Sequence, residues 1–83
     1  VFMLVRLPEL PRYTTATVQR VESAYDNDAI AQRLADLGFV PGELVRITAT
    51  GPVGQDPLLV QIGFTRFALR RAEAARVLVE INA

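Results

Sequence analysis

Arg33-Leu34-Ala35-Asp36-Leu37-Gly38-Phe39-Val40-Pro41-Gly42 ends a helix, turns the chain and launches a strand, so the fold hangs on this corner. Upstream, Ile30, Leu34 and Leu37 fall at i, i+4 and i+7, which makes one apolar helical face. Gly38 stands just past the last periodic residue, where a left-handed C′ position suits glycine. Pro41 forbids continuation of the helix, and Pro41-Gly42 predicts a tight turn with positive φ at the glycine. From Leu44 onward the apolar period drops from about 3.6 to 2.

Before the corner, Asp26-Asn27-Asp28 supplies N-caps and places negative charge at the positive end of a helix predicted over about 27–37. Thr14 to Glu22 is rich in threonine and valine and predicts a first strand, with a bulge or an end where Val21 breaks the alternation of Ala16 and Val18. Leu7-Pro8-Glu9-Leu10-Pro11 allows one helical turn at most, because the prolines limit extension. After the corner, Val45, Ile47 and Ala49 share one face of a second strand. Gly51-Pro52-Val53-Gly54-Gln55-Asp56-Pro57 predicts a turn-rich loop whose Asp56 bonds its own backbone. Leu58, Val60 and Ile62 alternate on a third strand, Gly63 makes a hairpin corner, and Thr65, Phe67 and Leu69 alternate on a fourth. Residues 72–75 form a short helical turn, and Val77, Val79 and Ile81 a fifth strand. Five short strands, one helix and tight turns predict a mainly β domain over 1–83. Its expected form is a small, partly open five-stranded barrel with one inserted helix.

Composition narrows the function. The chain has 83 residues with 9 basic and 9 acidic side chains; every basic one is arginine, and the formal net charge is zero. A neutral domain gains little from phosphate contacts, so nucleic acid is not the expected partner. Histidine and cysteine are absent, which removes the commonest general base, the thiol nucleophile and the favoured ligands of ferrous iron and zinc. No enzyme activity, cofactor or metal site is expected, and Asp26 and Asp28 read as helix caps rather than ligands. Asp36, Glu43, Asp56, Glu73 and Glu80 leave room only for a weak carboxylate site. Apolar runs fall short of the roughly 20 residues that span a bilayer, and Phe2-Met3-Leu4-Val5 is too short for a signal peptide, so a cytoplasmic protein is expected. Hydrophobic residues make up 51% of the chain, enough to suggest a partner or a weak homo-oligomer. Phe39, Val40, Val53, Leu59 and Phe64 are the candidates for an apolar contact patch. Glu73, three residues from both Arg70 and Arg76, is positioned for local ion pairs.

Three pieces in order resemble one family: Arg33-Leu34 to Gly42, Pro52 to Pro57, and Leu69-Arg70-Arg71-Ala72-Glu73-Ala74. Together they resemble FeoA, ferrous iron transport protein A, across about residues 7–81, and the same domain looks similar to the C-terminal barrel of iron-dependent repressors. The family's usual "L..L..G" element is matched at Leu7 and Leu10, but Pro11-Arg12-Tyr13 stands where its glycine is expected. The resemblance implies an SH3-like barrel acting as an adaptor of bacterial ferrous iron uptake. Its implied partner is the GTP-hydrolysing cytosolic domain of the membrane ferrous iron transporter. Phe39, Pro41, Gly42, Pro52, Asp56, Pro57, Arg70 and Arg71 are the family-matching positions, with Phe and Arg making contacts and Gly and Pro shaping the surface. Two alternatives stand beside it: a regulatory barrel cut from an iron-dependent repressor, and a peptide-binding SH3-like module.

Overall fold

The computed structural model describes residues 1–82 as a single antiparallel sheet closed on itself in part, with short helices over its ends. Six strands compose it: β1 (Phe2–Arg6), β2 (Ala16–Val21), β3 (Leu44–Val53), β4 (Asp56–Ile62), β5 (Thr65–Leu69) and β6 (Val77–Asn82). Their order is β1-β6-β2-β3-β4-β5, so β1 and β5 are the two edges. A 3₁₀ turn (Leu7–Glu9) joins β1 to the loop before β2. Helix α1 (Ala29–Asp36) is inserted between β2 and β3, and α2 (Arg71–Ala74) between β5 and β6.

The sheet has one strand more than the expected five. Phe2-Met3-Leu4-Val5-Arg6 pairs with β6 in register Val5↔Val79 and Met3↔Ile81. Its first four residues are apolar without alternation, and pairing with β6, more than seventy residues away, makes the segment a strand. The 51–57 segment is likewise more regular than expected. Strands β3 and β4 run on to Val53 and Asp56, leaving Gly54-Gln55 as a two-residue turn with φ of 63° and 57°. Two successive left-handed residues match the right-handed twist of the flanking strands, and Gln55 accepts that conformation without being glycine. Gly51 is required for a different reason: a Cβ there would collide with the Asp56 carbonyl oxygen across the ladder.

The corner forms as the sequence predicts. Asp28 caps α1, and Gly38 (φ 115°) closes it with a Schellman pair, Phe39 N–H to Leu34 O and Gly38 N–H to Ala35 O, both 3.1 Å. Pro41-Gly42 makes a turn in which Glu43 N–H donates to Val40 O at 3.2 Å, with Gly42 at φ 96°. The bulge in β2 falls between Val18 and Arg20, and it is stitched to this turn by Gly42 N–H to Val18 O and Val18 N–H to Glu43 O. The inward residues of β2 to β6 meet in one core: Ala16 and Val18, Val45 and Ile47, Leu58, Val60 and Ile62, Leu69, Val77 and Val79, with half-buried Val5 of β1 packed against it. Leu7 and Leu10 close one end, while Leu34 and Phe39 close the other.

Candidate functional site

Phe39 lies in the core and not at the surface. It was expected at a turn and partly exposed, yet it is 1% exposed and packs on Phe67 with ring centroids 6.3 Å apart. The cause is the helix ending. A left-handed C′ residue folds the chain back so that C″ lies against C3, here Phe39 against Leu34.

The remaining family-matching residues fall into two groups at opposite ends of β4. One is a brace. Asp56 Oδ1 accepts the Arg71 backbone N–H at 3.0 Å, and its Oδ2 lies 4.0 Å from Arg70 Nη1. Asp56 therefore does not bond its own neighbourhood as expected; it supplies an acceptor to the first turn of α2 from fifteen residues away. Glu73 completes that end by accepting the Arg70 N–H at 2.9 Å, so it is a cap and not the ion-pair partner of Arg70 or Arg76. Arg71 donates from Nη2 to the Pro8 carbonyl at 3.2 Å, tying α2 to the 3₁₀ turn. Arg70 is the most exposed of the charged side chains in this group, with 68% of its side chain exposed. Pro52 and Pro57 flank the Val53–Asp56 pair that closes the β3–β4 hairpin.

Pro41 and Gly42 lie at the other end, beside the Gly63 corner, where Gly63 N–H donates to Leu44 O. Phe64 is fully exposed there, whereas Val53 is exposed at the far hairpin tip. A seven-residue strand separates them, about 20 Å at roughly 3.3 Å per residue, so the expected apolar patch is not contiguous.

A third feature escaped the sequence. Between α1 and edge strand β5 runs an open groove of about 380 Å³. Ile30, Leu34 and Leu37 form one wall, Phe67, Ala68 and Leu69 the other, and Arg33 and Glu73 the rim. Only the apolar stripe of α1 hinted at it, and that stripe reads equally well as core.

Charge is buried at one point. Asp28 is 1% exposed, and its carboxylate is saturated: Oδ1 accepts from Ile30 N–H (3.1 Å) and Ala31 N–H (3.3 Å), Oδ2 from Ala24 N–H (2.8 Å) and Arg76 Nε (2.6 Å). Burial pushes this carboxyl upward, but the Arg76 guanidinium and the backbone donors override it and hold the pKa at about 2. Arg76 also donates to Ala72 O at 2.8 Å and lies 5.8 Å from the Tyr25 ring centroid, so α1, α2 and the β2–α1 loop share one ion pair. Among the described residues, no three His, Cys, Asp or Glu side chains converge as metal ligands, and no helix is long and apolar enough to cross a membrane.

The model of the FeoA domain matches residues 5–81. The chain belongs to the FeoA family. Its structure is similar to Stenotrophomonas maltophilia FeoA complexed with zinc, at 61% identity and a TM-score of 0.83, over 93% of this chain and 88% of that one. That protein is described as a prokaryotic SH3 domain protein and suggested to be a bacterial ferrous iron transport activating factor. Chlorobium tepidum FeoA is 34% identical with a TM-score of 0.79, over 95% and 71% of the two chains. T. acidophilum IdeR is 24% identical with a TM-score of 0.76 over 95% of this chain and 34% of that one, a likeness of fold alone. A comparison with curated protein sequences finds no match. The SH3-like barrel and the family expected from the three sequence pieces are thus both found. Within Pro11-Arg12-Tyr13, Tyr13 has φ 64°, a left-handed conformation that glycine adopts at lower cost.

Proposed function

We propose that this FeoA-family chain is a non-catalytic cytosolic accessory protein of bacterial ferrous iron uptake. It docks on the GTP-hydrolysing cytosolic part of the membrane transporter and biases its state. The observation that carries this reading is the 61% identity with the S. maltophilia protein, suggested to be a transport activating factor, over nearly the whole chain. The chemistry of the surface agrees with it: the polar clusters are consumed in bracing the fold, which leaves exposed arginines and an apolar groove as means of contact. In the Asp56 brace, Arg70 is the residue that reaches a partner, while Arg71, Pro52 and Pro57 hold the surface in shape and Pro41-Gly42 does so at the opposite end.

Docking alters the transporter only if the two transporter states bind with unequal affinity, since equal binding shifts no equilibrium. Calorimetry of this chain with the purified cytosolic part of the transporter, with and without guanine nucleotide, tests the proposal. Nucleotide-dependent affinity is the expected result, and absence of binding in both states refutes it. The repressor reading rests on fold likeness alone.

A further inference from the structure

The groove beside β5 is bordered by a sheet edge whose hydrogen-bonding groups are open. The Gly63-Phe64 turn makes Ile62 and Thr65 the closing hydrogen-bonded pair of the β4–β5 hairpin. Alternation along the ladder then assigns the bonds to the Val60–Phe67 and Leu58–Leu69 pairs, and directs the N–H and C=O groups of Arg66 and Ala68 away from β4. No turn, loop or cap elsewhere among the described residues takes them up. Ala68 itself lines the groove, and the side chains of Phe67 and Leu69 form its wall beside the apolar stripe of α1.

Resting on the docking reading above, we propose that β5 accepts an extended segment of the partner as an added strand. Its main chain would bond Arg66 and Ala68, and every second side chain would enter the groove against Ile30, Leu34 and Phe67. Backbone pairing gives such a site its affinity and the pockets for alternate side chains give it specificity. Charge narrows the occupant. Arg33 on the rim and Arg66 on β5 are exposed and form no ion pair among the described residues. Glu73 is the one carboxylate lining the groove, so the two arginines leave the site net positive. The segment is therefore apolar at alternate positions with carboxylates between them. A second copy of this chain does not match: its two edge strands, Phe2–Arg6 and Thr65–Leu69, each carry an arginine and no acid.

The test uses the ¹⁵N-labelled chain titrated with the transporter's cytosolic part and, separately, with a capped octapeptide alternating leucine and aspartate. Both are expected to shift the Arg66 and Ala68 amides and to slow their hydrogen exchange about tenfold or more. Ala68→Pro removes the outward N–H at an edge position that tolerates proline, and Arg33→Glu reverses the rim charge. Each is expected to weaken both ligands about tenfold with the melting temperature held. Should Ala68→Pro fail to fold, Arg33→Glu and the amide shifts still decide. If the transporter part binds but perturbs the Asp56–Arg70 face and leaves β5 unshifted, strand addition is overturned and docking stands. If the transporter part does not bind while the octapeptide shifts the β5 amides, docking on the transporter fails and the strand site stands. An octapeptide that leaves β5 unshifted, with no transporter binding, overturns both. Concentration-dependent self-association that protects β5 would assign the edge to a second copy and overturn the proposed occupant.

Discussion

Replacing Phe39 by alanine separates a core residue from a contact residue. The ring is 1% exposed and meets Phe67 at 6.3 Å. A buried aromatic ring covers roughly 150–250 Å², and its removal from a core costs about 3–5 kcal/mol, transfer and cavity together. A domain of 83 residues has a total stability of about 4–12 kcal/mol, so the loss takes a large share of it. At about 4 °C or more per kcal/mol for a domain of this size, Phe39→Ala should lower the melting temperature by about 12 °C at least. Phe64 is the control, being fully exposed at a hairpin corner, and Phe64→Ala should change stability by less than about 0.5 kcal/mol. Thermal and urea unfolding followed by circular dichroism measure both variants in the same buffer. A fall for Phe39→Ala that merely equals the Phe64→Ala change would refute the packing argument. The Schellman closure at Gly38, which brings Phe39 against Leu34, would then need a different account.

Four further outcomes follow from the same geometry. Tyr13→Gly should stabilise the fold by about 0.5–1 kcal/mol, because an exposed side chain at φ 64° forgoes a left-handed penalty of about 1–2 kcal/mol against a smaller glycine entropy loss; a lowered urea midpoint would contradict this. The Asp28 carboxyl is lowered from 3.8 to about 2 on folding, so its contribution is complete above about pH 5 and disappears as pH falls from about 4 to 2. Asp28→Asn should therefore be less stable at pH 7 and lose less on acidification, and parallel stability–pH curves for the two proteins would reject the assignment. Asp56→Ala removes the acceptor for Arg71 N–H and should cost about 1 kcal/mol in urea unfolding, an effect that is wrong if the midpoint does not move. Arg70→Ala, by contrast, should leave stability within about 0.5 kcal/mol while weakening transporter binding in calorimetry; joint loss of both would make Arg70 structural.

Residues whose conformation is set by their neighbours in sequence were legible. Gly38, Pro41-Gly42 and Gly63 each demand a turn through backbone chemistry alone, and the alternation from Val45 to Leu69 follows from a sheet with one face buried. What could not be read locally was set by distant parts of the chain. Strand β1 exists because β6 pairs with it, Asp56 is oriented by Arg71, and Arg76 finds Asp28 across forty-eight residues rather than Glu73 three residues away. Phe39 is the instructive case between these limits. The spacing Leu34, Gly38, Phe39 contains the C3–C″ apolar contact that accompanies a glycine-closed helix, so the signal for burial was present in the very motif that made the residue look like part of a turn.

That distinction bears on where function sits in a domain this small. A polar side chain buried at an element junction, such as Asp28 with its four donors, is matched to partners within the chain and has no acceptor capacity left for anything outside it. Glu73 and Asp56 each commit one carboxylate oxygen to a backbone N–H of the α2 start, so residues conspicuous in sequence for their charge turn out to be braces. The open hydrogen-bonding capacity lies instead in main-chain groups of an edge strand, at Arg66 and Ala68, where the side-chain sequence carries no mark of it. In this chain the sheet stays open at β5 with α1 beside it, so the free edge is a consequence of topology. Recognition through that edge would tolerate wide sequence change on β5 while demanding that α1 keep its distance from it.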